Sequence, residues 1–171
     1  MEMTNAKLYS LSFSELRTYL YAMLFVAGNV VLPQLCHLVP NGGPMLLPIF
    51  FFTLIAAYKY GFVAGLLTAV ISPLVNHLVF GMPDGTMLPF VLLKSVLLAV
   101  AASYAARRFG KVSVPILIAV VLFYQLVGTT VQCLALGDMD AMLTVLYIAI
   151  PGMLIQVLLG YVIIRYWEGL R

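Results

Sequence analysis

Six long apolar stretches, each close to the length of a membrane-spanning helix, constrain this chain more than any other feature. They lie near residues 18–38, 45–58, 62–80, 87–106, 114–136 and 142–166. The apolar core of a bilayer is about 30 Å thick, which an α-helix of about 20 residues crosses. Charged residues make up only 9% of the chain, whereas a soluble domain contains about 25%. Most of the chain is therefore predicted to lie in lipid.

Breaks rich in glycine and proline separate the apolar stretches. The run from Pro40 to Pro44 precedes the second stretch, which is short, and Gly81–Gly85 follows the third. The stretches lack the alternation of apolar and polar residues that a β-barrel strand shows. We predict an all-α membrane protein, a single compact bundle of six transmembrane helices over residues 1–171. Residues 1–17 are predicted to be a cytoplasmic or interfacial N-terminal segment.

The basic residues predict the orientation of the bundle. Eight of the nine precede the first stretch, follow the sixth, or lie in the second-to-third or fourth-to-fifth connection: Lys7, Arg17, Lys59, Arg107, Arg108, Lys111, Arg165 and Arg171. The connections on the other side hold Asp84, Asp138 and Asp140 and no lysine or arginine. Cytoplasmic loops are enriched in lysine and arginine. Both termini are therefore predicted to be cytoplasmic, in the cytoplasmic (inner) membrane of a prokaryote.

Lys94 is the ninth basic residue, and it lies inside the fourth stretch. At 1.5 Å per residue its position is about 10 Å below the predicted outer surface. An ammonium at that depth is costly unless its side chain reaches the surface or finds a partner. Three interpretations stay open: snorkelling to the outer surface, pairing with Asp84, or binding an anionic ligand in an outward-facing cavity.

Other polar residues also lie in the predicted outer half of the bundle. Asn76 and His77 follow Pro73 near the end of the third stretch, and Gln125 and Gln132 share one helical face in the fifth. Hydrogen bonds between helices or a polar cavity would explain them. With residues from the two outer loops, the candidate ligand-binding set is Lys94, His77, Asn76, Asn41, Met82, Asp84, Gln125 and Gln132.

No catalytic motif is recognisable in the sequence. HExxH, GxSxG and a phosphate-cradling glycine-rich loop are all absent from it. The six acidic residues are dispersed, and Cys36 and Cys133 have no metal-type spacing with a histidine. We therefore expect no enzymatic activity, no metal site, no cofactor in this chain and no nucleic-acid partner.

One motif resembles a known family. It runs from Ile71-Ser72-Pro73-Leu74 to Gly81-Met82-Pro83 and is preceded by Tyr60–Gly65. Combined with six spans in 171 residues and a short second span, it resembles the substrate-binding S components of energy-coupling factor (ECF) vitamin transporters. Within that family it looks most like the branch that contains corrinoid and pantothenate binders.

The resemblance implies a bundle that captures a vitamin or related micronutrient at its outer face, with two outer loops acting as lids. It also implies three partners: a transmembrane coupling subunit and two cytoplasmic ATPase subunits, which use the ATP. The family's docking motif, Ala-x-x-x-Ala, falls at Ala22 and Val26, and Ala27 follows, so these three are the expected docking residues. Nickel and cobalt S components carry histidine at position 2, where this chain has Glu2, so metal uptake is not expected.

Two other functions remain open from the sequence. A structural scaffold of a cell-envelope complex would have no outer cavity and no bound small molecule. A self-contained facilitator would have a continuous polar path, yet Lys94, Asn76 and His77 all lie in the predicted outer half.

Overall fold

The structure is a computed structural model that describes residues 8–167. Helices α1 to α7 comprise Leu16–Cys36, Gly42–Leu46, Pro48–Ile55, Phe62–Phe80, Leu88–Phe109, Val114–Leu136 and Ala141–Tyr166, and a π-helical turn at Ala56–Tyr60 follows α3. Six spans are long and apolar enough to cross a membrane, one of them formed by α2, α3 and the π turn together. No strand occurs within residues 8–167. The prediction of an all-α, multi-pass membrane protein with six spans is confirmed.

The second span differs most from the sequence prediction. It begins at Gly42 rather than at residue 45, because Gly42, Gly43 and Pro44 of the expected break belong to the short helix α2. Leu47 then interrupts the span with a left-handed backbone, φ 52°. Pro48 is the first residue of α3, a position where the N–H that proline lacks would have no partner within the helix. At the far end Gly61, φ 96°, turns the chain into α4 with a conformation that glycine adopts readily.

Helix α3 and the π turn form the centre of the bundle. Around them α1, α4, α5, α6 and α7 follow one another, each packed against the next from α4 to α7, and α1 packs against α4. The short helix α2 packs against α7. Small residues allow these close approaches, since a Cβ added at Gly65 of α4 would lie 2.4 Å from the Cβ of Ala57.

The charged residues divide the bundle into two ends. We call the end with Asp84, Asp138 and Asp140 the acidic end, and the end with Lys59, Arg107, Arg108 and Lys111 the basic end. Backbone and side-chain hydrogen bonds hold the basic end together: Tyr9 N–H donates to the Lys59 carbonyl at 2.7 Å, and the Tyr58 hydroxyl donates to the Lys111 carbonyl at 2.7 Å. The acidic end corresponds to the predicted outer side. The predicted cytoplasmic residues Lys7 and Arg171 lie outside the described residues, as does Glu2.

Lys59 does not lie in an exposed connection, as its place between two spans suggested. It belongs to the π turn and is 1% exposed. Its ammonium donates to the carbonyls of Ile164 and Trp167 at the end of α7. The last carbonyls of a helix lack intrahelical partners and carry partial negative charge. Lys59 therefore caps α7 and ties it to the second span.

The predicted docking face on α1 needs a correction. Ala22 is 3% exposed and points into the bundle, so it is not available to a separate partner. Val26 is half-buried, and of the three predicted docking residues only Ala27 is exposed. The lipid-facing stripe of α1 passes instead through the exposed residues Leu16, Leu20, Met23, Leu24, Ala27, Val31 and Leu35. Spacing alone did not distinguish the two faces, since both are apolar.

Candidate functional site

A cavity of about 560 Å³ lies at the acidic end, between α1, α3, α4, α5, α6 and α7. Its wall is mostly apolar and includes Pro48, Ile49, Phe50, Phe90, Val91, Val145, Ile148 and Ala149. Polar side chains interrupt this wall at Gln34, His37, Asn76, Asp84, Lys94, Gln125 and Gln132. Small-molecule sites typically occupy about 300–1,000 Å³ and combine apolar walls with a few placed polar groups. The cavity has both the size and the composition of such a site.

Six of the eight candidate ligand-binding residues line this cavity: Lys94, Asn76, Met82, Asp84, Gln125 and Gln132. The other two do not. Asn41 is exposed and has a left-handed backbone, φ 57°, immediately before α2. The His77 ring pairs through Nδ1 with the Pro83 carbonyl at 2.7 Å. His77 therefore holds the loop that follows α4 rather than facing the cavity.

The Lys94 side chain turns toward the acidic end. It passes over Gly128 of α6, where an added Cβ would lie 2.3 Å from Lys94 Cγ. Its ammonium then donates to Gln132 Oε1 at 2.8 Å. Since Gln132 lies one helical turn beyond Gly128 toward the acidic end, the Lys94 side chain leans in that direction and lines the cavity. Lys94 is only 8% exposed, so it does not reach the outer surface, and ligand binding by its ammonium stays a prediction.

Asp84 is not the partner of Lys94. Its Oδ1 accepts hydrogen bonds from the Thr86 hydroxyl at 2.6 Å and from the N–H groups of Thr86 and Met87 at 2.9 and 3.0 Å. These bonds favour the ionised carboxylate and lower the pKa of Asp84. The carboxylate thus shapes the loop before α5. Within residues 8–167 the ammonium of Lys94 has Gln132 as its hydrogen-bond partner and no carboxylate partner.

Asn76 is held in place by a carbonyl that a proline releases. Pro33 has no N–H, so the carbonyl four residues earlier, that of Asn29, has no helical partner. Asn76 Nδ2 donates to this carbonyl at 2.9 Å and to the Ser72 carbonyl at 2.9 Å. Because both neighbours are acceptors, the amide nitrogen must face them. Asn76 Oδ1 is left on the other side with no hydrogen-bond donor among the described residues.

Asn29 anchors the wall behind Asn76. Its Nδ2 donates to Thr53 Oγ1 at 3.0 Å and Ser72 Oγ at 3.2 Å, and its Oδ1 accepts from the Phe52 N–H at 3.1 Å. These bonds join α1, α3 and α4 beside the cavity. A buried polar network with its members satisfied is rigid, so the position of Asn76 is set before any ligand binds.

Gln125 is a further buried polar group at the cavity wall. It is 2% exposed, and its side chain makes no hydrogen bond within residues 8–167. One helical turn away, Thr129 Oγ1 is also buried without a partner in the described part of the chain. Buried polar groups are ordinarily hydrogen-bonded. Together with Asn76 Oδ1, the Gln125 amide gives the cavity hydrogen-bonding capacity that the protein itself does not use.

The cavity does not continue toward the basic end. Leu54, Leu98, Leu117 and Val121 are all at most 1% exposed and form part of the apolar core. The polar groups in this region are bonded within the protein, since the Tyr124 hydroxyl donates to Gln156 Oε1 at 2.9 Å and Gln156 Nε2 donates to the Leu47 carbonyl at 3.4 Å. The cavity is thus a cup that opens at one end of the bundle.

Sequence reasoning missed part of the wall. Gln34 lies on α1 and its Nε2 is buried without a partner among the described residues. Its polarity within an apolar stretch was the available signal. Met82 was predicted from its place in an outer loop, but the apolar wall residues within the spans carry little signal, because in a membrane protein an apolar residue is equally suited to lipid, core and cavity.

The chain was compared with protein-family models, with curated proteins and with solved structures, and none of the three comparisons gives a match. The resemblance to ECF S components therefore stays a prediction carried by the motif after Ile71.

Proposed function

We propose that this chain is the substrate-binding subunit of an ECF-type importer that captures a vitamin or related micronutrient at its outer face. The observation that carries the proposal is the cup at the acidic end. All six spans contribute residues to its wall, and three of its polar side chains, Lys94, Asn76 and Gln125, are at least nine-tenths buried. The distribution of basic residues supports an orientation in which its mouth faces outward.

The size of the cup favours a compact ligand. A volume of about 560 Å³ is enough for a molecule of pantothenate's size. A corrinoid with its nucleotide is larger than this volume. Of the two ligand classes suggested by the motif, the pantothenate-like one is therefore the better fit.

The closed core argues against a self-contained facilitator. A facilitator needs a polar path from one end to the other, whereas Leu54, Leu98 and Leu117 are fully buried below the cup. A structural scaffold, in turn, has no use for a cavity lined by buried polar groups with unused hydrogen-bonding capacity. Such groups are costly to fold around, and a ligand that satisfies them is the simplest reason to keep them.

Import would then depend on partners. The sequence has no phosphate-cradling glycine-rich loop, so the proposed transport step draws its energy from two ATPase subunits through a transmembrane coupling subunit. On α1 the surface open to such a subunit is the exposed stripe that includes Leu20, Met23 and Ala27. Ala27 is the small residue of the three, which permits close helix approach.

Isolation of the tagged protein from its native membranes in a mild detergent tests the proposal. We expect a multi-span subunit and two ATPases to co-purify, and Ala27→Trp to reduce their recovery. Ala119→Trp, on the exposed face of α6, serves as the matched control and should leave recovery unchanged. Recovery of cell-envelope enzymes with no ATPase would favour the scaffold instead.

A further inference from the structure

The cup has two separate polar anchors with different chemistry. Lys94 and Gln132 form the first, between α5 and α6, and it offers a positive charge with hydrogen-bond donors. Asn76 forms the second, between α1 and α4, and it offers an acceptor, Oδ1. Apolar residues such as Ile49, Phe90 and Val91 line the same cavity.

The first anchor suits an acidic group. An ammonium has three N–H donors, and one of those of Lys94 is used by Gln132. The acidic residue that lines the cavity, Asp84, bonds within its own loop to Thr86 and Met87. A carboxylate or phosphate here would form charge-assisted hydrogen bonds in surroundings less polar than water.

The second anchor requires a donor. Asn76 Nδ2 is bound to two backbone carbonyls at 2.9 Å, which fixes the amide orientation and leaves Oδ1 free. A buried acceptor of this kind accepts from an O–H or N–H group and gains nothing from a second acceptor. Oδ1 itself is buried in the wall, and the bond of Asn76 to the Asn29 carbonyl keeps it there, so the ligand's donor must reach into the wall.

We propose that the cup selects small monoanions that carry a hydroxyl or N–H donor on the far side of an apolar segment. The acidic group binds Lys94 and Gln132, the donor binds Asn76 Oδ1, and the apolar segment packs on the wall between them. This inference rests on the proposed function and specifies the class of ligand. Acids without the donor, and neutral molecules with it, bind more weakly.

A matched series of simple compounds tests this selectivity on the full-length protein in lipid nanodiscs. The series contains linear ω-hydroxy acids of four to eight carbons, the corresponding unsubstituted acids, and the corresponding diols. Affinity is measured by calorimetry and by the ligand-dependent rise in unfolding temperature. We expect the hydroxy acids to bind best, with an optimum at one chain length because both anchors are fixed. Replacing the carboxylate by an alcohol should weaken binding roughly ten- to a hundredfold, and removing the hydroxyl roughly two- to tenfold.

Variants assign the acid preference to its anchor. Lys94→Met should remove the advantage of acids over diols and keep the advantage of hydroxy acids over plain acids. Arg108→Met removes an exposed cation at the basic end and should change neither. The Asn76 anchor is read from the compounds, because a variant there would also strip the Asn29 carbonyl of its donor and risk misfolding.

Within this series three results would overturn the inference: diols that bind as tightly as hydroxy acids, unchanged acid affinity in Lys94→Met, or no binding by any member. Failure of the inference and failure of the proposed function can be told apart. A neutral or cationic micronutrient that co-purifies in the cup, with the ATPase subunits present, would refute the ligand class and leave the importer intact. Acid binding by a protein that recovers no ATPase would support the ligand class and refute the importer.

Discussion

Gly152 of α7 allows a sharp test of the contact between α7 and α2, which carries part of the cup's wall. An ideal Cβ at this position would lie 2.6 Å from the backbone carbon of Leu46 and 2.8 Å from the Met45 carbonyl oxygen. Ordinary contact begins near 3.4 Å, so Gly152→Ala must push α2 away by roughly 0.8 Å. The displaced atoms are backbone, and they cannot turn aside as a flexible side chain does.

Gly160 lies on the same helix and supplies the matched control. A Cβ there would meet only the Leu54 Cδ2 atom, at 3.2 Å. Both substitutions gain the same helix propensity, about 1 kcal/mol in favour of alanine, which cancels when the two variants are compared. What remains is the overpacking at Gly152, typically about 1–3 kcal/mol.

Titration with sodium dodecyl sulfate, followed by circular dichroism, measures the free energies of unfolding of both variants. We expect Gly152→Ala to be less stable than Gly160→Ala by about 1–3 kcal/mol. Since α2 and the residue after it contribute Gly43, Pro44 and Leu47 to the cup, ligand affinity should also fall in Gly152→Ala alone. Equal stability of the two variants would show that α2 does not rest on Gly152.

Three further predictions concern the rest of the bundle. Asn29→Ala removes three hydrogen bonds, each worth about 0.6 kcal/mol on average in a membrane protein. The same titration should therefore show a free energy of unfolding lower by about 2 kcal/mol. A decrease no larger than that of Thr130→Val would contradict the network. Lys59→Met removes the cap of α7 next to Trp167, the single tryptophan of the chain, so the tryptophan fluorescence should shift to the red. Arg108→Met, the control, should leave the spectrum unchanged. An unshifted spectrum in Lys59→Met would refute the cap. In a cysteine-free background, impermeant thiol reagents added outside cells should label Cys at positions 84 and 138 and not at 108; labelling at 108 from outside would reverse the orientation.

The spans followed from the sequence because their signal is strong and local. A run of apolar residues with glycine and proline at its ends fixes a transmembrane helix by length alone, and the bounds of α4 and α6 were predicted to the residue. The interruption at Leu47 was not predicted, since leucine has no intrinsic preference for positive φ. Its carbonyl accepts a hydrogen bond from Gln156 Nε2 of α7 at 3.4 Å, a contact with a residue distant in sequence.

Most of the polar part of the candidate site was predicted, and of its apolar part the predicted set held Met82 alone. Lys94, Gln125 and Gln132 stood out because a polar side chain in an apolar span needs a partner, and the structure brings them to one cavity. The same reasoning could not separate His77, which supports a loop, from Asn76 beside it. It also could not tell the inward Ala22 from the outward Ala27, because the lipid and the protein interior are equally apolar.

Native mass spectrometry of the protein released from its own membranes tests the central claim, that the cup at the acidic end holds a small molecule. Ala149→Phe fills the cup from α7, since Ala149 is buried in its wall, and Ala119→Phe places the same side chain on the exposed face of α6. The account predicts one small-molecule adduct on the unmodified protein and on Ala119→Phe, and its loss from Ala149→Phe at unchanged helix content. An adduct that persists in Ala149→Phe, or no adduct on any of the three proteins, would contradict it.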